Sequence, residues 1–518
     1  IGVRWLWPGD LGTYVPRLKT VEISAVHTLG APALQYRKMR WHIIGRIAAG
    51  GKLDPQDEML GFSQDVAQSY GKEVGILFRR HQLGGMDCKP PTGHETSNWW
   101  KLYGKEHPEW FALCKDGTRG NPDPRKGDES EVSFCVTNEE LQDFIVSKWD
   151  GKSTLVLGPI DHVGRCNCAK CRAWDSPQPA NPPWFAKLMY SDTKQDVFYG
   201  QTSDRYARFW KIIREKAMKR NPDVQISCSF IYENEFTAPI TGIKLDKNYF
   251  GEFVQWRDPH LRYFPMPGEA YEWMKQQWLG WKQTGIRMGY RPNYLHDGYV
   301  MPYFDSWQSG DFFKFAWKNG MEGAEFDSYT GQWAVQGLRL YMHMRLLSNP
   351  NLEIKDIRSE YFSAFGPAAK TVEQYCDYWE NYAVKNILHF IQQLNMRRYA
   401  TYPLEVQKAF SPEIFKPAEV LLNKALAEAK TSGQPEFAGR VQFLQTGLQH
   451  ALLTLKVAAI YNGQRDVPAQ RTREAKAALD ALVKFRKDHQ RMYFSDLLHV
   501  TNFWERPSWN MDYYLTKN

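Results

Sequence analysis

The chain has 518 residues, with 66 Lys and Arg against 58 Asp and Glu and a formal net charge of +8, a small basic excess without a long basic run. This charge gives little support for nucleic-acid binding, and the lack of any run of about 18 apolar residues predicts that no segment spans a membrane. The length suits more than one core, so a barrel followed by a helical domain is a natural partition.

The first residues, IGVRWLWPGDLG, read like the inside of a folded domain rather than its start. We therefore expect that further residues precede them in the natural protein and that any targeting signal lies there. Residues 1–35 are accordingly assigned to a linker or to the remnant of a preceding domain.

Short apolar or β-branched runs alternate with helix-like stretches between residues 37 and 327. The predicted strands are residues 37–43, 73–80, 131–136, 154–159, 224–232, 252–257, 285–291 and 322–327. The predicted helices between them are residues 55–70, 138–149, 203–220, 269–284 and 310–319. Strands that alternate with helices indicate parallel βα units, and eight such units close into a barrel. The sequence therefore predicts a (β/α)8 TIM-like catalytic barrel over residues 36–330.

The pattern changes after the eighth predicted strand. Residues 334–348, AVQGLRLYMHMRLLS, have the spacing of an amphipathic helix, and helical periodicity then continues over residues 350–490 without a strand signal. We predict a C-terminal all-α domain over residues 331–518. Its aromatic tail at 503–515 is expected to dock back on the protein.

Barrel enzymes carry their catalytic groups at the carboxyl ends of the strands, where the loops converge. The predicted strand ends select Asp161 after the fourth strand and Glu325 and Asp327 on the eighth as catalytic residues. Glu325 and Asp327 are two residues apart on a strand, so their side chains point to the same face. The predicted substrate-binding residues are His162, Tyr232, Glu233, Trp256, Arg257, Asn293, Asp297 and Trp333. The alternatives are a loop cap for Asp161 and structural hydrogen bonds for the other two carboxylates.

These residue types point to glycosidic cleavage, in which one carboxyl group protonates the leaving oxygen and another stabilises or attacks the sugar centre. Aromatic residues make up 14% of the chain, with 20 Trp and 27 Tyr, many of them beside Pro, Gly, Asn or Asp. Such rings can stack on sugars, although burial in a large barrel also accounts for them. The sequence has no Gly-rich phosphate loop, no G-x-S-x-G elbow and no convincing metal triad, so we predict neither a cofactor nor a metal for catalysis.

Three cysteines follow Asp161 in the stretch LVLGPIDHVGRCNCAKC, residues 155–171. They are Cys166, Cys168 and Cys171. Together with Cys135, which lies at the end of the third predicted strand, they fit either a four-thiolate zinc site or a disulfide between neighbouring loops. No second C-x2-C pair is present, so we favour the disulfide over zinc. In both cases we expect the cysteines to lie beside the mouth of the barrel, to shape the loop after Asp161 and to bind no catalytic metal.

Three functions remain open from the residues alone. The first is a glycosidase with a two-carboxylate or substrate-assisted retaining mechanism. The second is a polysaccharide lyase that acts on a uronate-containing glycan, with a base among His162, His296 and Tyr232 and a uronate-binding Arg257 or Arg291. The third is a non-catalytic carbohydrate-binding protein. A lyase would make an unsaturated sugar that absorbs near-ultraviolet light, which separates it from a hydrolase.

Five stretches of the chain resemble one bacterial family, the one defined by domain of unknown function 4838. They are GVRWLWPGDLGTYVP at residues 2–16, HPEWFAL at 107–113, SFCVTNEE at 133–140, LGPIDHVGRCNCAKC at 157–171 and FDSYTGQWAVQGLRLYMHMRLLSNP at 326–350. The resemblance runs from residue 1 to about residue 380, and its most specific element is the Asp followed by C-x-C-x2-C.

Some members of that family are classed in glycoside hydrolase family 163, which contains endo-acting β-N-acetylglucosaminidases. The resemblance implies a glycosidase-like (β/α)8 barrel that follows a small α/β domain, of which residues 1–35 would be the remnant or linker. We accordingly expect a complex glycan or polysaccharide as substrate and a secreted or periplasmic location.

Overall fold

The computed structural model describes residues 2–22, 30–40, 51–120, 131–161, 164–177, 202–254, 268–293, 298–302, 306–327, 329, 331–394, 402–467 and 469–511. The side chains of residues 233, 270, 387–394, 402 and 469 also lie outside the described part. Across these ranges, no helix combines the length and the apolar composition that crossing a bilayer requires.

The strands form a small antiparallel pair and one larger parallel sheet. β1 (Arg4–Trp5) and β2 (Thr13–Tyr14) make the pair. The sheet consists of β3 (Arg37–Met39), β4 (Leu155–Val156), β5 (Ile226–Ile231), β6 (Tyr249–Phe253), β7 (Arg287–Tyr290) and β8 (Met321–Phe326). Every residue of β5 and β6 is buried, as expected for central parallel strands that are covered on both faces.

The predicted eight-stranded barrel is wrong. The six strands of the sheet lie in the order β3-β8-β7-β6-β5-β4, which is the order they would have in a barrel. Within the described residues, however, no strand closes the gap between the edge strands β3 and β4. The observed architecture is therefore an open, parallel half-barrel sheet with helices.

The predicted second strand, residues 73–80, is the last part of a helix. It belongs to α2 (Gln64–Arg80), whose buried residues are Val66, Tyr70, Gly71, Val74 and Leu77. The run EVGILF resembles a strand when it is considered alone. Over all 17 residues the buried positions recur every three to four residues, which is the helical period.

The predicted third strand, residues 131–136, does not join the sheet either. Phe134 pairs with Phe111 in an isolated antiparallel bridge, and the Cys135 N–H donates to the carbonyl of Trp110 at 2.8 Å. Because the backbone of this segment is paired locally, it does not supply the ladder that a third barrel strand needs.

The α-helices of the described chain before β8 are α1 (Pro55–Met59), α2, α3 (Trp99–Tyr103), α4 (Glu139–Lys148), α5 (Ala169–Arg172), α6 (Ser203–Met218), α7 (Glu269–Gln283) and α8 (Ser306–Lys318). The predicted helix at 138–149 is confirmed as α4. Its N-cap, Asn138, accepts a hydrogen bond from the Leu141 N–H at 2.9 Å, which satisfies one of the free donors of the first turn. The predicted helix at 55–70 is instead α1 and the first part of α2.

Every described element after β8 is helical. The α-helices are α9 (Trp333–Ser348), α10 (Ile354–Ser363), α11 (Ala369–Leu394), α12 (Tyr402–Ala409), α13 (Pro412–Lys430), α14 (Pro435–Tyr461), α15 (Thr472–His489), α16 (Leu497–His499) and α17 (Arg506–Trp509). Trp509 is completely buried, and its indole N–H donates to the carbonyl of Pro403 at 3.0 Å. The described part of the aromatic tail therefore docks on the protein as predicted.

Candidate active site

The carboxyl edge of the parallel sheet brings the predicted catalytic residues into one region. Parallel strands end at the same edge, so the residues that follow them meet there. Tyr232 directly follows β5, Arg291 follows β7 and Asp327 follows β8. Asp161 lies five residues after β4, and Glu325 is the second-last residue of β8.

Asp161 accepts a hydrogen bond from Tyr232. The phenol oxygen lies 3.0 Å from Oδ1 of the carboxylate, and only 4% of Tyr232 is exposed. The pair joins the loop after β4 to the end of β5, so Asp161 is held by a buried strand end as well as by its own loop.

The loop that leads to Asp161 passes very close to β5. A Cβ at Gly158 would lie 2.4 Å from the Cβ of Ser229 and 2.7 Å from the carbonyl oxygen of Gly93, so only glycine fits there. Ser229 has a φ of 56°, at an irregularity in the pairing of β5 that begins after Ser227. Irregularities of this kind redirect the following side chains and are common beside active sites.

Residues 89–94, a loop that the sequence analysis did not assign to the site, lie against the same edge. Nδ1 of His94 is 2.7 Å from the carbonyl oxygen of Pro159, and its ring centroid is 5.1 Å from that of Phe230. Burial lowers the pKa of His94, and the negative charge of Asp161 opposes this effect. The pKa remains below its usual value, so the neutral ring is favoured. The sequence KPPTGH indicates a loop but does not show what it contacts.

Lys89 lies between two carboxylates of the sheet. Its Nζ is 2.9 Å from Oε2 of Glu252 and also contacts Oε2 of Glu325. Nζ of Lys38, on β3, lies 3.0 Å from Oε1 of Glu325. Burial by itself would raise the pKa of Glu325, but the charges and hydrogen bonds of the two lysines outweigh it and lower the pKa to about 2. Glu325 is therefore ionised at neutral pH.

Glu252, on β6, is a functional-site neighbour that the sequence analysis missed. It is completely buried, and it accepts hydrogen bonds from the hydroxyls of Tyr36 and Thr92, each at 3.2 Å. Burial raises the pKa of Glu252, while the charges of Lys89 and Arg291 oppose this. Because none of its surface is exposed, Glu252 cannot touch a substrate, and it serves as a buried counter-charge for Lys89. The signal in the sequence was a single acidic residue inside the otherwise apolar strand β6.

Asp327 forms ion pairs with two arginines. Nη2 of Arg291 lies 2.6 Å from Oδ2 and Nη1 of Arg40 lies 3.1 Å from Oδ1. The guanidinium of Arg291 also lies over the ring of Phe230, 4.4 Å from its centroid. The ring centroids of Phe230 and Tyr232 are 6.0 Å apart. A chain of contacts therefore runs from Asp327 through Arg291 and these two rings to Asp161.

The other predicted substrate-binding residues have separate outcomes. Asn293 forms an isolated parallel bridge with Asp327, which places it at the site. Trp333 is completely buried at the start of α9 and donates to the hydroxyl of Tyr70 at 2.8 Å, so its ring offers no surface to a glycan. The side chain of Glu233 and all of His162, Trp256, Arg257 and Asp297 lie outside the described residues.

Four cysteines form one group next to the loop of Asp161. The Sγ atoms of Cys135, Cys166, Cys168 and Cys171 all lie within 4.8 Å of one another. All eight cysteines of the chain are free, so the disulfide that the sequence analysis favoured is not formed. Each thiol of the group has several sulfur neighbours rather than a single partner.

Comparison with known proteins gives one family match. The model of a family described as domain of unknown function, DUF4838, matches residues 7–377. The matched range contains all of the residues that form the site and the cysteine group. No curated protein matches the chain.

Proposed function

The chain belongs to the DUF4838 family, and we propose that this member is a glycoside hydrolase acting on a complex glycan or polysaccharide. A relation to glycoside hydrolase family 163 and a β-N-acetylglucosaminidase-like activity are part of the proposal. The observation that carries it is the hydrogen bond from Tyr232 to Asp161 at the carboxyl edge of the sheet. Ionised carboxylates held at such an edge are what cleavage through a cationic sugar centre uses.

The carboxylates have different tasks in this proposal. Asp161 is the anion that stabilises the developing positive charge on the sugar, or that orients an attacking acetamido group in the substrate-assisted version. A water molecule in the open mouth of the site supplies the proton that the departing oxygen takes up. Glu325, with a pKa of about 2, does not donate a proton at neutral pH. We assign Glu325 and Asp327 to fixing the electrostatic field of the site through their ion pairs with lysine and arginine.

A polysaccharide lyase is the second function that a specific observation favours. The side chains of Lys38 and Arg40 are each 40% exposed beside the paired carboxylates, where they would neutralise the carboxylate of a uronate. Tyr232 would pass its phenol proton to Asp161, take up the proton next to that carboxylate and return a proton to the leaving glycosidic oxygen as the double bond of the sugar forms. This reading needs an acidic sugar, whereas the hydrolase reading does not.

Digestion of a glycan panel with mass spectrometry of the products tests both functions. The panel contains N-glycans, neutral polysaccharides and uronate-containing polysaccharides. Hydrolysis adds one water for each bond cleaved, while a lyase adds none and leaves an unsaturated product that absorbs ultraviolet light. Glycan binding without any product would contradict both and support a carbohydrate-binding protein.

Asp161→Asn links the activity to the site. Its matched control is Asp480→Asn, which removes an exposed carboxylate on α15 that pairs with Lys476 at 2.9 Å. An exposed pair of this kind stabilises a helix by only about 0.3–0.5 kcal/mol. We expect the first variant to keep its fold and lose turnover, and the control to retain both.

A further inference from the structure

The four-cysteine group has the size of a single metal site. The Sγ atom of Cys135 lies 3.7 Å from that of Cys168 and 3.8 Å from that of Cys171. Zinc–sulfur bonds of about 2.3 Å in a tetrahedron imply sulfur–sulfur separations of about 3.8 Å. A disulfide would bring one pair to about 2.05 Å instead. The observed separations thus match the edges of a metal tetrahedron and are far too long for a bonded pair.

Hydrogen-bond donors are aimed at the sulfurs. The N–H of Leu113 donates to Sγ of Cys166 at 3.3 Å, and the N–H of Cys171 donates to Sγ of Cys168 at 3.4 Å. The hydroxyl oxygen of Thr137 lies 3.2 Å from Sγ of Cys171. Donors of this type stabilise the negative charge that metal-bound thiolates carry and orient them as ligands.

The chain around the group is arranged as a ligand knuckle. Cys168 is the N-cap of the short helix α5, and its side chain accepts a hydrogen bond from the N–H of Cys171. The Sγ atoms of the two residues lie within 4.8 Å of each other. Cys135, Cys166 and Cys171 are buried, and Cys168 is partly exposed. One partly exposed ligand gives an ion a path of entry, while the other three exclude water.

We propose that Cys135, Cys166, Cys168 and Cys171 bind one Zn²⁺ ion in a closed structural site. Each thiol releases its proton when it binds, so four protons leave as the ion enters. Four thiolates fill the coordination of zinc and leave no position for a water or a substrate, which makes the site structural rather than catalytic. The proposal does not depend on the hydrolase activity.

The bound ion would fasten the loop that carries Asp161. Cys166 comes five residues after Asp161, and Cys135 belongs to the separate segment 131–136. The two segments already touch, because the hydroxyl of Ser133 donates to the carbonyl of Gly164 at 2.7 Å. Zinc–thiolate bonds would add a second connection between the two segments and would restrain the backbone that follows the loop of Asp161.

Metal and thiol analysis of the full chain tests the site. We expect one zinc per chain after purification without added metal, and all eight cysteine thiols to react after unfolding in a chelator without reductant. No bound metal, iron in place of zinc, or the loss of two or four thiols to disulfides would each overturn the proposal. The wild-type chain stripped of its zinc should unfold about 5–10 °C lower and recover with one equivalent of zinc. An unchanged midpoint would overturn the structural role.

Cys168→Ser is the sharpest variant. A serine at this N-cap keeps a helix-capping oxygen, so α5 retains its cap while the site loses one thiolate. The control is Cys88→Ser, which changes an exposed cysteine outside the group. In competition with a chromophoric chelator we expect zinc binding to weaken at least about 100-fold in Cys168→Ser and to be unchanged in Cys88→Ser. Equal zinc affinity in both variants would overturn the assignment.

Discussion

The phenol oxygen of Tyr232 lies 3.0 Å from Oδ1 of Asp161, so the residue that directly follows β5 holds the carboxylate on the loop after β4. Tyr232 itself is buried, and Phe230 and His94 pack around it. Two neighbouring strands and a distant loop therefore determine where the carboxylate points.

Tyr232→Phe removes this hydrogen bond without changing the shape of the ring. A hydrogen bond to a charged group contributes about 1.5–3 kcal/mol, so on the proposed function we expect turnover to fall about 10- to 100-fold. Asp161→Asn, which removes the charge itself, should cost about 100-fold or more. Steady-state turnover on the cleaved glycan measures both, with Asp480→Asn as control. Full turnover in Tyr232→Phe would show that this hydrogen bond does not position Asp161 for catalysis.

The lowered pKa of Glu325 predicts a pH-dependent contribution to stability. Its ordinary pKa is 4.5 and its pKa in the folded protein is about 2, so the folded state prefers the ionised form. The stabilisation is complete above pH 4.5, where both states are ionised, and is lost as the pH falls from 4.5 to 2. Its upper limit is on the order of 3 kcal/mol. We expect Glu325→Gln to be less stable than wild type at pH 7 and the difference to shrink towards pH 3 in denaturant unfolding.

A constant difference between the two proteins from pH 7 to pH 3 would contradict the lowered pKa. The contacts with Lys38 and Lys89 would then stabilise the folded protein equally with an ionised and with a protonated Glu325.

The sequence predicts the six strands of the sheet because each is a short apolar run between turns, a local signal, although β6 lies at Tyr249–Phe253 and the predicted strand at 252–257 began three residues too late. It does not predict that the sheet stays open over the described residues. That outcome depends on residues 73–80, which follow the helical period of all of α2, and on residues 131–136, which pair with a neighbouring segment. Both runs look like strands in isolation, and only their wider context decides otherwise.

The site is predictable where it depends on strand ends and hidden where it depends on long-range contacts. Asp161, Glu325 and Asp327 follow or end predicted strands, so they can be selected from the sequence. Lys89 meets Glu325 across 236 residues of chain, and no pattern in the loop around Lys89 indicates that contact. The proposed zinc site also depends on a long-range contact, because the distance from Cys135 to the other cysteines decides between a metal and a disulfide.

Lys89→Met should destabilise the protein strongly. The side chain of Lys89 is only 9% exposed and faces Glu252 and Glu325, so its loss leaves two carboxylates close together without the cation between them. Removing one partner from a buried ion pair costs about 3–5 kcal/mol. Lys38→Met is the matched control, because Lys38 also pairs with Glu325 but is 40% exposed and should cost no more than about 1 kcal/mol. Denaturant unfolding at neutral pH measures both.

A double-mutant cycle separates the ion pair from the packing of the side chain. Adding Glu252→Gln to Lys89→Met should recover part of the lost stability, because the remaining glutamine carries no charge. Strictly additive losses in the double variant would contradict the buried charge network.

Two arginines on β7 and just beyond it test whether the site lies at the carboxyl edge of the sheet. Arg291, after the carboxyl end, pairs with Asp327 at 2.6 Å and stacks on Phe230. Arg287, at the amino end, pairs with Glu322 at 2.8 Å and lies 5.8 Å from the ring centroid of Phe250. Lysine keeps the positive charge but lacks the planar guanidinium, which stacks on an aromatic ring and can donate two parallel hydrogen bonds to a carboxylate. Each Arg→Lys change therefore weakens a similar set of contacts. The two variants therefore differ mainly in which edge they disturb.

We expect Arg291→Lys to lower turnover about 10-fold or more, because a small shift of Asp327 and of the ring beside Tyr232 misplaces the reacting groups. Arg287→Lys should keep wild-type turnover. Thermal unfolding of both variants serves as the control for folding. Lysine keeps the charge of each pair, so we expect a loss of about 1 kcal/mol or less for the partly exposed Arg287 and of about 2 kcal/mol for the more buried Arg291. Equal losses of turnover in the two variants would place the functional site elsewhere, whereas a loss confined to Arg291→Lys ties activity to the edge where Asp161, Glu325 and Asp327 meet.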